Sequence, residues 1–488
     1  MRSLYIAIII VIGSVFIVLD SNYAGAITSN TTEIISKQGN ETGATTIQIT
    51  NDSNSIVVVD PKSDPSLSSS IVLGFDSLPV IAYYDASSDQ LKVVHCGNTS
   101  CSIGNAISTL VSESLILHQL DLAIGSDGFP IIGYQDFSGH LKVLHCGSVD
   151  CSQGNTLTVV DPNENVGQFL SLTIDSDGLP IMSYYDYPNQ HLKIAYCSRI
   201  DCTEGNYVRT LDSNEYGGLS TSIAIGKDGF PVIAFSGLPI EIPKIIHCLT
   251  VICAKTTVTL INQSMTTAAY PRSMAIGKDG LPVVSYYGGP TGGSTFNLKV
   301  LRCGNPDCSA ENTLTTVDPS PDSGQRNLMV MDKNGLPTIA YLVTNPYGFK
   351  IVHCGNSQCS AGNTWSTTNF TYLSDYSSMV LDKYGSPIIT GISNSGGSLI
   401  VIHCGKADCS NNNEPASPMR ENFSNASADL WYLGKAAKQN MYVKYGIQDN
   451  ETNNGNPYEM TIYFKQYNSD KKYWDTQVFV DYDSKIIT

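Results

Sequence analysis

The fourteen cysteines of this chain fall into seven pairs, and every pair has the spacing Cys-x4-Cys. They are Cys96/Cys101, Cys146/Cys151, Cys197/Cys202, Cys248/Cys253, Cys303/Cys308, Cys354/Cys359 and Cys404/Cys409. Successive first cysteines are 50, 51, 51, 55, 51 and 50 residues apart. A fixed period near fifty residues means one supersecondary unit repeated seven times, which overrides the two or three ordinary domains that a chain of this length would otherwise suggest.

Each unit reads as four short strands. In the fourth, Ser222–Ile225 leads through a Lys227-Asp228-Gly229-Phe230 turn into Pro231–Phe235, then Lys244–Cys248, then Thr256–Leu260. Asp-Gly supplies the positive φ of a tight turn, and proline at the first residue of the second strand forfeits no ladder donor. The strands are β-branched, nearly continuously apolar and without a 3.6-residue period, so both sheet faces should be covered. Seven such sheets arranged radially give an all-β, seven-bladed β-propeller spanning 55–410. The last unit runs from Cys409 into Ser410-Asn411-Asn412-Asn413 and lacks a fourth strand, while Ser55–Pro61 matches the fourth-strand stretches Leu157–Pro162 and Leu314–Pro319. The N-terminal segment is therefore expected to complete the seventh blade and close the ring, hiding edges that invite aggregation.

Residues 1–26 read as an export signal: Arg2, the apolar run Ile6–Leu19, and Ala24-Gly25-Ala26 as the cleavage site. The alternative is an uncleaved anchor, for which fourteen apolar residues are short. No other segment is apolar enough to span a bilayer. Export makes the paired cysteines disulfides. Each is expected to staple the hairpin between strands three and four and to stiffen the rim, with none crossing between blades. Zinc, the rival reading of the spacing, takes about four ligands per site, and seven separated pairs do not divide into fours. Nine Asn-x-Ser/Thr sequons, among them Asn98, Asn262 and Asn369, fit a glycoprotein. A net charge of −16 argues against nucleic acid and anionic membranes as partners. These features together place the protein outside the cell, secreted or at the cell surface. Residues 27–54 form a Ser/Thr/Asn-rich linker, 411–424 a second linker, and 425–488 a small β-rich, sandwich-like module.

In a meandering blade the Asp-Gly turns and cysteine hairpins share one face, and the loops after strands two and four share the other. The second set varies in length and composition, so binding is expected there, around the mouth of the central channel. Four residue sets recur. Tyr83, Tyr134, Tyr184, Phe235, Tyr286 and Tyr341 stand late in strand two and are expected to pack between blades. Tyr84 with Asp85, Gln135 with Asp136, Tyr185 with Asp186, and Tyr287 stand at the end of strand two. They are the candidate binding residues, since rings with nearby carboxylates hold a sugar or a cation; the competing role for the aspartates is to cap turns. His95, His145, His247, His353 and His403 each precede a cysteine and are too dispersed for a metal centre, so they are expected to be buried between blades. The acidic stretches beginning at Asp161, Asp212 and Asp318 could offer oxygen ligands to calcium but lack an EF-hand spacing and read as solvated turns. No cofactor is called for, and no catalytic residue or metal ligand is assigned.

The unit Ile223-Ala224-Ile225-Gly226-Lys227-Asp228-Gly229-Phe230-Pro231-Val232-Ile233-Ala234 resembles the repeats of NHL-type and sialidase-like propellers. A sialidase would imply glycosidic cleavage by a Tyr nucleophile, a carboxylic acid and three clustered arginines. This chain departs from that: its propeller arginines are few, the Asp-Gly turn continues into an aromatic residue or Leu and then Pro rather than Thr-Trp, and there are seven blades, not six. The strands of 425–488 resemble a C-terminal β module of archaeal surface proteins. The leading expectation is a propeller that recognises a glycan or a cell-surface protein through its variable face. The alternatives are a sialidase-like glycan-cleaving enzyme, which needs two carboxylates roughly 5–10 Å apart at the channel mouth, and a structural envelope component.

Overall fold

The computed structural model describes residues 54–410 except 62, 64–67, 112–114, 213–216, 238–241, 261–269, 290–295, 345–346, 369–376 and 393–397. Side chains are also left aside at 115–119, 242, 270–272, 347 and 368. Outside that range only the backbone of seven strands is described. Ile9–Ile12 pairs with Val15–Val18, Glu33–Gln38 with Thr46–Asn51, and Met441–Ile447, Tyr458–Asn468 and Tyr473–Asp481 form an antiparallel meander. The cleavage site, residues 27–53 of the first linker, the second linker and every sequon but Asn98 lie outside the residues whose side chains are described. Residues 54–410 form one compact unit. Among the described residues no helix is long and apolar enough to cross a membrane.

That unit is a seven-bladed β-propeller, each blade a four-stranded antiparallel sheet in simple meander order. The second strands begin at Pro79, Pro130, Pro180, Pro231, Pro282, Pro337 and Pro387. In blades two to four they are buried at every position, as expected of strands covered on both faces. The outermost strands alternate between half-buried and exposed before turning inward, as in Thr156–Asp161. The core is a set of apolar clusters lying between neighbouring sheets. One joins Ile131, Leu141 and Val143 of blade two to Met182, Tyr184 and Ala195 of blade three.

The ring closes as the sequence implied. Ser55–Asp60 pairs with Leu399–His403 of blade seven, Val57 opposite Val401. Val59 and Val401 share a core with Ile71, Ile81 and Tyr83 of blade one. Asn54 completes the imitation of an ordinary fourth strand. In blade one, Asn105 Nδ2 donates to the Cys101 carbonyl at 2.7 Å and its Oδ1 accepts the Gly97 amide. Asn155, Asn312 and Asn363 repeat both bonds. In blade seven the same two bonds come from Asn54, to the Cys409 carbonyl (2.7 Å) and from the Gly405 amide (2.9 Å).

All seven disulfides form within their own hairpins: Cys96–Cys101, Cys146–Cys151, Cys197–Cys202, Cys248–Cys253, Cys303–Cys308, Cys354–Cys359 and Cys404–Cys409. The pairing is as expected, but the picture of a rim staple needs correction in its placement. Cys101, Cys151, Cys202, Cys253, Cys308, Cys359 and Cys409 are at most 2% exposed. Each packs, with its bonded partner, in the apolar cluster between its own blade and the preceding one. Cysteine is among the most readily buried residues, so the hairpin folds its sulfurs inward. The disulfides therefore contribute to blade-to-blade packing although no covalent bond crosses between sheets.

The second cysteines also share a backbone conformation: Cys101, Cys151, Cys202, Cys253, Cys308, Cys359 and Cys409 are all left-handed, with φ between 51° and 57°. That geometry disfavours a residue with a Cβ by about 1–2 kcal/mol. The disulfide and the asparagine bond to the same residue's carbonyl hold it there in all but blade four, where Cys253 has no such asparagine.

The first strands begin earlier than the sequence suggested. They run Val166–Ile174, Gly217–Ile225 and Ser323–Met331, each with two register shifts in its first half. Phe169, Ser220 and Arg326 sit at these irregularities with φ of 52–53°. A bulged stretch has no period-2 signature, so alternation alone does not reveal it.

Candidate functional site at the channel mouth

The first strands of all seven blades line a central cavity of about 270 Å³. Each first strand starts from the variable-loop face, so the bulged residues Phe169, Ser220 and Arg326 stand at the cavity's end on that face. Deeper lie Ser70, Asp121, Ser171, Ser222, Ser273, Leu328 and Ser378, one from each blade. These form a belt that stitches blade to blade. Ser171 Oγ accepts the Ile223 amide (3.2 Å), Ser222 Oγ accepts the Met274 amide (3.0 Å), and Ser273 Oγ both accepts the Met329 amide and donates to its carbonyl. Asp121 is the one carboxyl group among the described lining residues. Its Oδ1 accepts from the Ser70 hydroxyl and the Leu122 amide, and its Oδ2 from the Leu172 amide at 2.8 Å. Burial raises its pKa above the ordinary carboxylate range, against the lowering effect of the Leu172, Leu122 and Ser70 hydrogen bonds.

Around this mouth the candidate residues divide. The aspartates sit in structural networks. Asp85 is 1% exposed, accepts from Ser87 and Ser88 in its own turn, and pairs with Lys92 at 2.6 Å. Asp136 accepts the His140 amide and pairs with Lys142 at 2.9 Å. Burial pushes its pKa up, but the Lys142 and His140 interactions outweigh this and lower it. Asp186 caps its turn through Asn189. Gln135 donates to the Val166 carbonyl at 2.6 Å, tying blade two to blade three.

The tyrosines are more varied. The Tyr84 hydroxyl donates to Asp89. Tyr287 stacks on Phe296 with centroids 5.1 Å apart, and its hydroxyl donates to Asp322. Burial and that aspartate raise its pKa. Tyr185 is 3% exposed, wedged between Phe169 (6.2 Å) and Tyr187 (6.3 Å, edge-on). Tyr187 itself is 59% exposed, and Phe137, at the same loop position of the neighbouring blade, is 70% exposed. Phe137 and Tyr187 escape a reading that stops at the strand end. The signal was present: each is the first loop residue after the candidate aspartate. Phe169 had no such signal, because its position depends on the bulge.

Two further expectations need correction. The acidic stretches do not begin as solvated turns: Asp161, Asp212 and Asp318 are 1%, 5% and 3% exposed. A register shift at the end of the fourth strand in blades two, three and five turns each aspartate toward the next blade. There Asp161 Oδ2 accepts from Lys193 (2.6 Å) and the Tyr184 hydroxyl (2.7 Å), and Asp318 Oδ2 from Lys350 (2.9 Å) and the Tyr341 hydroxyl (2.8 Å). Asp212 accepts from Lys244 alone of this pair of donors, since Phe235 stands where the tyrosine would be. Asp60 of the closing strand accepts from the Tyr83 hydroxyl at 2.6 Å and lies 3.6 Å from Lys92.

The buried tyrosines are thus core residues, as expected, but those of blades one, three and six also clamp the preceding blade. In blade two, which follows Val111 rather than an aspartate, Lys142 turns to Asp136 of its own sheet. In blade seven Gly391 and Ile400 occupy the tyrosine and lysine positions.

The histidines are not defined by burial between blades. His247 and His403 are buried, but His95, His145 and His353 are half-buried. His95, His145 and His247 bond the turn aspartates Asp76, Asp127 and Asp228 at 2.8–2.9 Å, and Arg302 replaces them opposite Asp279. His403 meets Asp382 at 3.0 Å, and His353 meets Thr338 instead. In the first three pairs the second aspartate oxygen accepts a turn amide, so the residue braces the hairpin.

No family model matches this chain, and no curated protein matches it. Solved structures similar to it include a GH93 α-L-arabinofuranosidase of Fusarium graminearum in complex with arabinobiose, 14% identical, with a TM-score of 0.41 over 72% of this chain and 97% of that one. A PL25 ulvan lyase is 10% identical, with a TM-score of 0.46 over 71% of this chain and 95% of that one. A protein of unknown function from Dyadobacter fermentans is 10% identical, with a TM-score of 0.42 over 72% and 97%. Likeness at this level carries no argument about what this chain does.

Proposed function

We propose that this protein is an extracellular recognition propeller that binds a glycan at the channel mouth of its variable-loop face. The observation that carries the reading is the run of rings Tyr187–Tyr185–Phe169, which leads from an open loop to the wall of a polar cavity. Single exposed aromatics are common on protein surfaces. A ring held rigid by a second, backed by a third and ending at a concave polar site is a different arrangement. A sugar ring presents a C–H face that packs on an aromatic face, while its hydroxyls need donors and acceptors such as the serine belt supplies. Phe137 and Tyr187 offer the outer contacts, Tyr185 supports Tyr187, and Tyr84 and Tyr287 flank the site in other blades. Seven disulfides support a location outside the cytosol.

The test is a glycan array probed with the intact protein and with Tyr187→Ala, Phe137→Ala and Tyr84→Ala variants. Tyr187→Ala should weaken the strongest signals about tenfold, the effect of truncating a contact worth roughly 1.4 kcal/mol, with melting temperature unchanged. Absence of any glycan signal from the intact protein overturns the reading. Full binding by both Tyr187→Ala and Phe137→Ala removes this surface from it.

A further inference from the structure

The seven turns between first and second strands share one backbone, each closed by a hydrogen bond from its fourth residue to its first. They form the inner ring of the face opposite the variable loops. Neighbouring turns touch: a Cβ on Gly128 would meet the Phe75 ring at 3.0 Å, and one on Gly280 or Gly335 would meet Lys227 or Lys278 of the preceding turn. What differs around the ring is charge. The second turn position holds Phe75, Ser126 and Ser176 in blades one to three, and Lys227, Lys278, Lys333 and Lys383 in blades four to seven. The third holds Asp76, Asp127, Asp177, Asp228 and Asp279 in blades one to five, then Asn334 and Tyr384. Every residue at these two positions is exposed. Blades one to three therefore present an acidic arc, blades six and seven a basic arc, and blades four and five one charge of each sign. The remaining turn carboxylates, Asp175, Asp332 and Asp382, each accept an amide of their own turn. Phe75 and Tyr384, 74% and 62% exposed, stand on either side of the seam between blades one and seven.

We propose that this face binds a second copy of the chain in a closed, two-fold dimer. The pattern is complementary to itself. A two-fold axis lying in the plane of the face, entering between blades seven and one and passing through blade four, lays blade one on blade seven of the second copy, two on six, three on five, and four on its own equivalent. Asp76 of one copy then faces Lys383 of the other, Asp127 faces Lys333, Asp177 faces Lys278, and Lys227 faces Asp228. Phe75 of each copy meets Tyr384 of the other. Turning the second copy by one blade in either direction would set Asp76 or Lys383 against its own equivalent, and like charges so opposed suppress the wrong register. Exposed ion pairs contribute little singly, so the charges set register and encounter while the two aromatic contacts supply apolar burial. A polyanion fits this face less well, because aspartates stand in five of the seven turns. An isologous contact of this kind closes at two copies. It leaves both channel mouths facing outward in opposite directions, so the dimer presents two variable faces and can bridge two surfaces. The proposal does not depend on what those faces bind.

Sedimentation velocity on the full chain tests this, before and after enzymatic removal of N-glycans, because the sequon Asn98 lies on a cysteine hairpin of the same face. The chain should sediment as a monomer–dimer equilibrium that shifts toward monomer as salt is raised. Lys278→Glu and Asp177→Lys each set like charges against one another at both ends of the contact. Each should weaken the dimer by about tenfold or more, with the fold intact by circular dichroism. An equal mixture of the two variants should recover it, since in the mixed dimer both contacts carry opposite charges. Phe75→Ser, which copies the residue of blades two and three, should weaken the dimer by about tenfold. If a charge variant does not fold, the salt dependence and Phe75→Ser decide. A monomer at every concentration in both preparations, undiminished dimers of either charge variant or of Phe75→Ser, no recovery on mixing, or assemblies larger than a dimer would each overturn the proposal.

Discussion

Lys193 Nζ lies 2.6 Å from Oδ2 of Asp161, although the two residues belong to neighbouring blades and are 32 positions apart in the chain. The Tyr184 hydroxyl shares the same oxygen. This joint, repeated in full or in part at four places among the described residues, ties one sheet to the next where no disulfide crosses. Its energetics are accessible to mutation because nature has already varied it: Phe235 and Gly391 stand at the tyrosine position in blades four and seven.

Asp161→Ala should destabilise the propeller by about 1–3 kcal/mol, because it takes the 2.6 Å partner from a buried ammonium group and leaves it only Asp186 at 3.7 Å. Tyr184→Phe, which keeps the ring and removes one hydrogen bond, should cost only about 1 kcal/mol. Phe235→Tyr should place a hydroxyl within reach of Asp212 and be neutral or slightly stabilising. Denaturant midpoints of the three variants check the order. Equal losses for Asp161→Ala and Tyr184→Phe would mean that the ion pair contributes nothing.

The same joints set the acid limit. Burial raises the pKa of Asp161, but hydrogen bonds from Lys193, Tyr184 and Asn163 outweigh it, and the net shift is downward. Asp318 behaves likewise, with Ser320, Lys350 and Tyr341 outweighing burial. A carboxylate with a depressed folded pKa contributes stability that is present above its unfolded value, about 3.9, and lost as pH falls through the folded value. Melting temperature should therefore hold from neutrality to about pH 4 as far as these groups are concerned and fall below it. Asp161→Asn should lower the neutral plateau and flatten the fall.

Two glycines near the start of first strands give a backbone test. Gly324 has φ near 99°, and a Cβ there would lie 2.6 Å from the Leu298 Cα; at Gly167, with φ near 95°, the nearest atom would be 3.4 Å away in the Leu141 side chain. Both substitutions to alanine pay the cost of a positive φ, about 1–2 kcal/mol, but only Gly324→Ala must also move backbone. It should be the more destabilising of the two. Ser77, at φ 63° in the turn where the other blades carry glycine, provides the converse: Ser77→Gly should raise stability by up to about 1 kcal/mol. Thermal melts rank the three.

The histidine positions should differ in weight. His95 pairs with an aspartate whose side chain is 42% exposed, whereas His403 and Asp382 are both nearly fully buried. His95→Ala should cost about 0–1 kcal/mol. His403→Ala leaves a buried carboxylate oxygen without that partner and should cost about 1–3 kcal/mol. Chemical denaturation of the two variants distinguishes them, and a reversed order would mean that burial does not govern the contribution of these pairs.

What the sequence disclosed and what it hid follow from the same physics. Cysteine spacing, Asp-Gly turns and the leading prolines are local signals, and they delivered blade count, strand order and the displaced fourth strand at Ser55–Asp60. The spacing also gave which cysteines pair, but not that Cys151 or Cys202 packs against the preceding blade, since burial depends on a neighbour fifty residues away. Register shifts are not local either. Whether Asp161 faces water or Lys193 depends on a one-residue mismatch against Leu141 and Lys142 in the neighbouring strand, and no pattern within Thr156–Asp161 announces it. The same holds for Phe169 and Arg326, whose access to the channel depends on how the first strand slips against the second. The candidate site was legible as a face and as a set of strand ends. The exposed rings one residue further on, and the serine belt inside the channel, needed the fold.

The account depends on a closed ring, since an open one has no channel to line. Amide hydrogen exchange on the intact protein measures closure directly. Val57 and Val58 should exchange as slowly as Thr158 and Val159 of blade two, with Ser55–Asp60 and Leu399–His403 opening together as one unit. Exchange of Val57 and Val58 at the rate of an unstructured peptide, while the strands of blades two to six stay protected, would contradict it.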